Sequence, residues 1–184
     1  MNYFVMVCEG KHPVAPINVS PRIPGWMLGR VVDTPAELPL QYVLNPKYPG
    51  NPKAMYDEKS VPIMHDSVRV ALEAAGVSNI QYFDAALSNP LTGEIRNDYK
   101  AFNIVGLVAC ADMAASQMMG TSSSTMGDAD FHSLVIDESK TGGALMFRLA
   151  ENISAIVVHK QVKDAITAAG LPGFVFYGPG EWSG

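Results

Sequence analysis

Three polar residues alternate in residues 127–132 in a pattern that could bind a metal ion. Asp128, Asp130 and His132 are each separated by one residue, so an extended chain would place their side chains on one side. Carboxylate oxygens and an imidazole nitrogen are ligands for hard or borderline cations. The sequence offers no further ligand at a recognisable spacing, and the pattern therefore favours a solvated loop. We predict neither a metal ion nor a cofactor.

Residues 120–125 are one glycine followed by five small hydroxyl residues, residue types that phosphate-binding loops use. Such a loop also requires a lysine after the glycines, a strand before it and a helix after it. The sequence supplies none of these, so we do not predict phosphate binding.

Cys110 and Asp112 could form a nucleophilic site with a histidine, because the members of a catalytic triad need not be close in the sequence. The chain has four histidines, His12, His65, His132 and His159. Nothing in the sequence selects one of them. Cys8 and Cys110 each lie in an apolar run, so we expect buried thiols in a reducing compartment, with a single disulfide bond as the alternative. We predict no catalytic residue.

The elements that must position these residues are clearest in residues 145–177. An alternating apolar pattern over 145–149 and a β-branched run at 156–158 predict two strands. Apolar residues then follow at the spacing i, i+3, i+4 and i+7 of an amphipathic helix, at Val162, Ala165, Ile166 and Ala169. Gly170 ends this helix, and the apolar run 174–177 predicts another strand.

The same helix–strand pattern occurs earlier in the chain, at an offset of 94 residues. Residues 64–83 align with residues 158–177, so that His65 meets His159 and Ala-Ala-Gly closes both helices. We expect both histidines to cap or pack rather than to catalyse. Unrelated amphipathic helices that end in glycine also show such sequence similarity by convergence. The sharper interpretation is a helix–strand unit packed twice on one sheet.

Composition predicts one folded domain over residues 1–184. Hydrophobic residues make up 48% of the chain and charged residues 17%, which is ordinary for a globular protein of this length. Ten of the thirteen prolines lie in residues 1–62, so we expect few regular elements there and a helix–strand core in residues 63–184. Trp26 should cover part of the core. The predicted fold class is α+β, with a mixed, mainly antiparallel sheet and at least two amphipathic helices.

Charge and hydropathy limit the classes of partner. The net charge of −5 argues against nucleic-acid binding as the main activity. The longest apolar stretch, residues 101–115, is interrupted by Asn103 and Asp112 and is too short for a membrane helix. The N-terminal segment lacks the basic region of a signal peptide. We therefore expect no membrane association and a cytoplasmic location.

The order of motifs along the chain resembles a known family. The first motif is Trp26 followed by Leu28-Gly29 and Val31-Val32-Asp33, and the second is the segment VPIMHDSVRVALEAAGVSNIQYF. The third is residues 102–105 followed by Cys110-Ala111-Asp112 and Ser116, and the fourth is the segment FRLAENISAIVVHKQVKDAITAAGLPGFVF. Together they resemble the immunity proteins of bacterial polymorphic toxin systems, a class long catalogued as a domain of unknown function. The resemblance covers nearly the whole chain. It implies a stoichiometric inhibitor without catalytic residues, whose partner is a cognate protein toxin encoded by an adjacent gene.

Residues 117–130 are low in complexity and predict a mobile surface loop. Within it, Met118, Met119 and Met126 could contact apolar toxin surface, and Asp128 and Asp130 could pair with toxin Lys or Arg. Two alternatives stay open. One is an enzyme of unknown reaction that uses Cys110, and the other is a non-catalytic adaptor or oligomerising module. The chain could also form a homo-oligomer.

Overall fold

A computed structural model describes residues 1–119 and 127–184 of the chain. The strands are β1 (Tyr3–Cys8), β2 (Ile17–Val19), β3 (Leu40–Leu44), β4 (Met55–Tyr56), β5 (Ile63–His65), β6 (Ile80–Ser88), β7 (Ile95–Ile104), β8 (Leu107–Val108), β9 (Gln117–Met118), β10 (Phe131–Ser133), β11 (Met146–Leu149), β12 (Ile156–His159) and β13 (Phe174–Tyr177). The helices are α1 (Asp66–Ala74) and α2 (Lys160–Ala168), and a 3₁₀ turn spans Glu138–Lys140.

The strands form two large sheets and one short ribbon. The five-stranded sheet has the order β13-β1-β12-β11-β8, the six-stranded sheet has the order β2-β3-β6-β7-β5-β4, and β9 pairs with β10. The pairs β8–β11 and β3–β6 are parallel and the others are antiparallel. The predicted α+β class and mainly antiparallel pairing are confirmed. The prediction of one sheet is wrong, because the chain leaves β7 at Val105, passes Gly106 and joins the other sheet as β8.

The predicted helix–strand repeat is present in the structure, where both units consist of a helix and a following strand at an offset of 94 residues. α1 and α2 each have nine residues and begin 94 residues apart, and β6 and β13 also begin 94 residues apart. Each helix is capped by the histidine before it: His65 Nδ1 accepts the Ser67 N–H at 3.1 Å, and His159 Nδ1 accepts the Gln161 N–H at 3.2 Å.

The two units also occupy equivalent places in their sheets. β5 and β6 lie on either side of β7, and β12 and β13 lie on either side of β1. Each helix therefore connects two parallel strands that are separated by one antiparallel strand. The central strand follows the first unit directly, whereas the second unit takes its central strand from the N-terminus, so the sequence repeat includes only the helix and its flanking strands.

Both helices pack into a core that the two sheets share. Val68 and Leu72 of α1 and Val162 and Ile166 of α2 are buried there against apolar residues of β1, β5, β7, β11 and β12. The helices are also joined by a hydrogen bond from Gln161 Nε2 to the Ala75 carbonyl, at 2.8 Å.

One predicted boundary is wrong in the second half of the chain. Residues 117 and 118 form β9 instead of part of the predicted loop. The physical reason is burial: Met118, Ala129 and Phe131 pack into an apolar cluster over the five-stranded sheet, and this outweighs the local Gly/Ser composition.

Trp26 covers the core as predicted. Its side chain is 1% exposed, its ring lies 5.1 Å from the Phe83 ring, and its Nε1–H donates to the Phe102 carbonyl at 2.8 Å. This hydrogen bond fixes the Pro-rich segment to β7.

Replacement of Trp26 by phenylalanine should reduce the free energy of unfolding by about 2 kcal/mol, because it removes a buried hydrogen bond and leaves a cavity. Urea denaturation measures the change. Leu28→Ala is the control in the same segment, since Leu28 is 46% exposed, and should change stability by less than about 0.5 kcal/mol. An equal loss in both variants would contradict the anchoring role of Trp26.

Candidate partner-binding surface

Residues 109–119 and 127–144, here called the outer layer, cover the face of the five-stranded sheet opposite the helices. Cys110, Phe131 and Leu134 of this layer are buried against residues of β1, β11 and β12. The layer is also tied to the end of the chain, since the Leu134 N–H donates to the Trp182 carbonyl at 3.2 Å and the Phe131 N–H to the Gly184 carbonyl at 2.8 Å.

The outer layer carries most of the net charge of the protein. Its acidic residues are Asp112, Asp128, Asp130, Asp137 and Glu138, and its basic residue is Lys140. The layer therefore has a charge of −4, against −5 for the whole chain. An acidic surface of this kind attracts a basic partner and accelerates its association.

Part of this charge is engaged within the protein. Asp137 pairs with Lys140 at 3.0 Å, and the Glu138 carboxylate accepts the Asn2 N–H at 2.6 Å. Hydrogen bonds from Asn2 help to lower the pKa of Glu138. The side chain of Asp130 is exposed and lies near Asp128 in the chain, which makes this end of the layer the clearest acidic site for a partner.

The structure brings together four of the five predicted contact residues. Met118 pairs with Phe131 in the β9–β10 ribbon, and the Met119 N–H donates to the Asp130 carbonyl at 2.9 Å. Asp128 and Asp130 are exposed and Met119 is 42% exposed. Met118 is half-buried against the apolar cluster of the layer. Met126 lies outside the described residues, as do residues 120–125.

The segment with the two aspartates is held on the scaffold by hydrogen bonds. The Gly127 N–H donates to the Ala150 carbonyl at 2.7 Å, and the Ala129 N–H donates to the Glu151 carbonyl at 2.8 Å. Asn152 Nδ2 donates to the Ala129 carbonyl at 3.0 Å. Residues 127–129 are thus hydrogen-bonded to the scaffold, within the segment that the sequence predicts as a surface loop.

The turn at residues 150–155 also borders a groove. The groove has a volume of about 460 Å³ and is lined by Ile23, Trp26, Met27, Leu28, Glu58, Ile153 and Ser154, among others. A second groove of about 280 Å³ shares Met27, Glu58 and Ser154 with it and extends to Asp57 and Trp182. The segment that carries the aspartates and the groove are therefore both next to residues of one turn.

Two charged residues next to the groove were not identified from the sequence. Burial raises the pKa of the Asp57 carboxyl to about 6, although Lys53 opposes the shift. Arg148 is 1% exposed and donates from Nη1 to the Ile153 carbonyl at 2.8 Å, while its Nε–H has no hydrogen-bond partner among residues 1–119 and 127–184. Burial lowers the pKa of Arg148 to about 10, and Asp57 opposes this. Arg148 is the more unusual of the two, because a buried guanidinium normally has an ion-pair partner.

Cys110 is poorly suited to nucleophilic catalysis. Burial, together with Glu151 and Asp137, raises the pKa of its thiol to about 12, so the thiol is protonated at neutral pH. Cys8 and Cys110 are both buried and free, which confirms the predicted thiols and excludes the disulfide bond between them.

His65 forms an arrangement that resembles a catalytic triad. Its Nδ1 lies 2.8 Å from Ser67 Oγ and its Nε2 lies 3.0 Å from Asp98 Oδ2. The same Nδ1 accepts the Ser67 backbone N–H, and the equivalent His159 Nδ1 accepts the Gln161 N–H at the start of α2. Asp98 is held by Arg96, whose hydrogen bonds are the main cause that lowers the pKa of Asp98. We interpret this group as a helix cap, and neither groove is lined by it.

Asp128, Asp130 and His132 do not assemble with further ligands. Within residues 1–119 and 127–184, no group of three or more His, Cys, Asp or Glu side chains is placed to hold a metal ion. In the same residues, no helix has the length and apolar character needed to cross a membrane.

The chain is thus an α+β protein whose outer layer is fixed to the scaffold by apolar packing and hydrogen bonds. The chain belongs to the immunity protein family Imm11, which matches residues 29–180 of 184. This match confirms the resemblance seen in the motifs. No curated protein matches the chain.

Asp57→Asn should stabilise the protein at pH 7. The pKa of Asp57 is about 6 in the folded state and 3.8 as its ordinary value, so the folded protein binds more protons between these values and stability falls as pH rises from 4 to 6. Neutral asparagine removes the cost of the buried charge, which is on the order of 1–2 kcal/mol at pH 7.

Chemical denaturation of wild type and Asp57→Asn at about pH 4.5, below the folded pKa of Asp57, and at about pH 7, above it, measures this difference. The variant should exceed wild type at pH 7 and match it more closely at pH 4.5. Asp84→Asn is the control, since Asp84 is exposed and paired with Lys100. A variant that is less stable than wild type at pH 7 would show that Asp57 stabilises Arg148 by more than its own burial costs.

Proposed function

We propose that this protein binds and neutralises a cognate bacterial toxin by stoichiometric protein–protein inhibition. The observation that carries the proposal is its membership of the immunity protein family over residues 29–180. The toxin is the product of an adjacent gene, and the inhibitor acts in the cytoplasm of the cell that makes both. The inhibitor contributes no catalytic group and no cofactor.

The proposed toxin-binding surface is the end of the outer layer that carries Met118, Met119, Met126, Asp128 and Asp130. The concentration of negative charge in the layer supports a basic toxin surface as the partner. Met119 supplies exposed apolar area that adapts to different shapes, next to the two exposed aspartates. The hydrogen bonds that anchor residues 127–129 reduce the entropy that binding must remove.

Co-expression with the product of the adjacent gene tests the proposal. Host survival and an equimolar complex on purification are the expected results. A toxic neighbour that still kills the host and forms no complex with the folded protein would overturn it. A tight complex with a neighbour that is not toxic would instead support an adaptor.

Reversal of charge by Asp128→Lys together with Asp130→Lys should weaken toxin binding at least about tenfold, mainly through slower association at low salt. Surface plasmon resonance at two salt concentrations measures this effect. The matched control is Glu37→Lys with Glu94→Lys, which changes the net charge equally at two exposed positions outside the layer.

The control pair should retain near wild-type affinity. Equal losses in both pairs would indicate a general charge effect, and no loss in the first pair would move the interface away from the acidic end. Thermal denaturation of all three proteins, the wild type and the two double variants, separates a binding defect from unfolding.

Cys110→Ala should protect the host as well as wild type does, because the proposed mechanism is binding and the thiol is protonated and buried. Survival after co-expression measures protection, and the melting temperature reports any cost of the smaller side chain. A folded variant that binds the toxin but no longer protects would support the alternative of an enzyme that uses Cys110.

A further inference from the structure

One edge of the five-stranded sheet is free. β13 pairs with β1 on one side, and no other strand among residues 1–119 and 127–184 pairs with it. All four of its side chains, in the order Phe-Val-Phe-Tyr, are half-buried. An unpaired strand of this kind can receive another strand through its backbone.

The register identifies the backbone groups that point outward. The Lys160 N–H donates to the Asn2 carbonyl and the Glu9 N–H to the Gly173 carbonyl. Because hydrogen-bonding direction alternates along an antiparallel strand, Val175 and Tyr177 face β1. Phe174 and Phe176 therefore present their N–H and C=O groups to the free side.

This edge lacks the features that protect other edges. β13 contains no charged residue, proline or bulge, which are the usual devices against strand addition. The other terminal strands differ: β8 and β4 have two residues each, and β2 has three residues and an irregular register. The rings of Phe174 and Phe176 stack at 6.4 Å and remain partly exposed.

The free edge is also limited at both ends. Pro172 has no N–H to donate, and the Gly178 N–H already donates to Glu181 Oε2 at 2.7 Å. The outward donors available to a partner are therefore those of Phe174 and Phe176. A short partner strand with two matching residues would satisfy them.

We propose that the partner is a second copy of this chain, which pairs through β13 in antiparallel orientation about a two-fold axis at Val175. The sequence Phe174-Val175-Phe176 reads the same in both directions, so the two-fold pairing places each outward phenylalanine opposite the other outward phenylalanine. The two pairs exchange four backbone hydrogen bonds. Tyr177 then faces Gly173 of the second copy, where no side chain occupies the space. The two five-stranded sheets become one ten-stranded sheet.

Analytical ultracentrifugation of the wild-type chain, whose mass is 19.8 kDa, tests the proposal over protein concentrations from about 5 to about 500 μM. The fraction of dimer increases with protein concentration by mass action. The mass should rise towards twice that of the chain.

Phe176→Pro removes an outward N–H without removing a hydrogen bond to β1, as an edge strand tolerates, and should raise the dimer dissociation constant at least about tenfold. Phe176→Val keeps the N–H and should dimerise more than Phe176→Pro.

Hydrogen exchange of the wild type provides a test that needs no variant. The amides of Phe174 and Phe176 should exchange rapidly at low concentration and become protected as the mass rises. The amides of Val175 and Tyr177 should be protected throughout, because they face β1. A chain that stays monomeric over the whole series, or a dimer without new protection at residues 174 and 176, would overturn the proposal.

The test also separates this inference from the toxin-binding proposal. Phe176→Pro should still protect the host, since β13 is not part of the outer layer. If the wild type is monomeric alone and toxin protects the two phenylalanine amides, the edge receives a toxin strand, and the second copy is excluded.

Discussion

Burial of both faces of the five-stranded sheet is the constraint on which the rest of the structure depends. Phe4, Met6 and Ile156 face the helices on one side, and Val5 and Val157 face the outer layer on the other. Because both faces of this sheet are covered, its strands do not alternate between side chains in the core and side chains in solvent. Even Arg148 is buried on it, because the strand that carries it is covered on both faces.

The same constraint explains how the proposed binding surface is anchored. The outer layer exists because one apolar face of the sheet has to be covered, and its own apolar residues fix its acidic residues at the surface. The turn at residues 150–155 connects this layer to the buried arginine through Ile153. Surface charge, groove and buried cation are thus parts of one continuous region, although they come from distant parts of the sequence.

Local patterns predicted what local interactions determine. The two helices, their histidine caps and the glycines that end them follow from residues within one or two turns, and the sequence showed them correctly. The partition of strands between two sheets depends on pairing between distant residues. The spacing of apolar residues along the chain does not show which strands pair, so one sheet was expected. Residues 117–130 were expected to be a loop because composition does not show that Met118, Ala129 and Phe131 reach an apolar cluster. Asp57 and Arg148 became notable only once the fold had buried them.

The position of β1 has a consequence for how the protein is made. This strand is the first element of the chain, yet its two partners are β12, which begins at Ile156, and β13, which ends at Tyr177. During synthesis every strand of the six-stranded sheet is available to pair before β1 has a neighbour. Contacts between such distant parts of a chain form slowly, so β1 has to keep its apolar side chains from other partners until residues 156–177 have been synthesised.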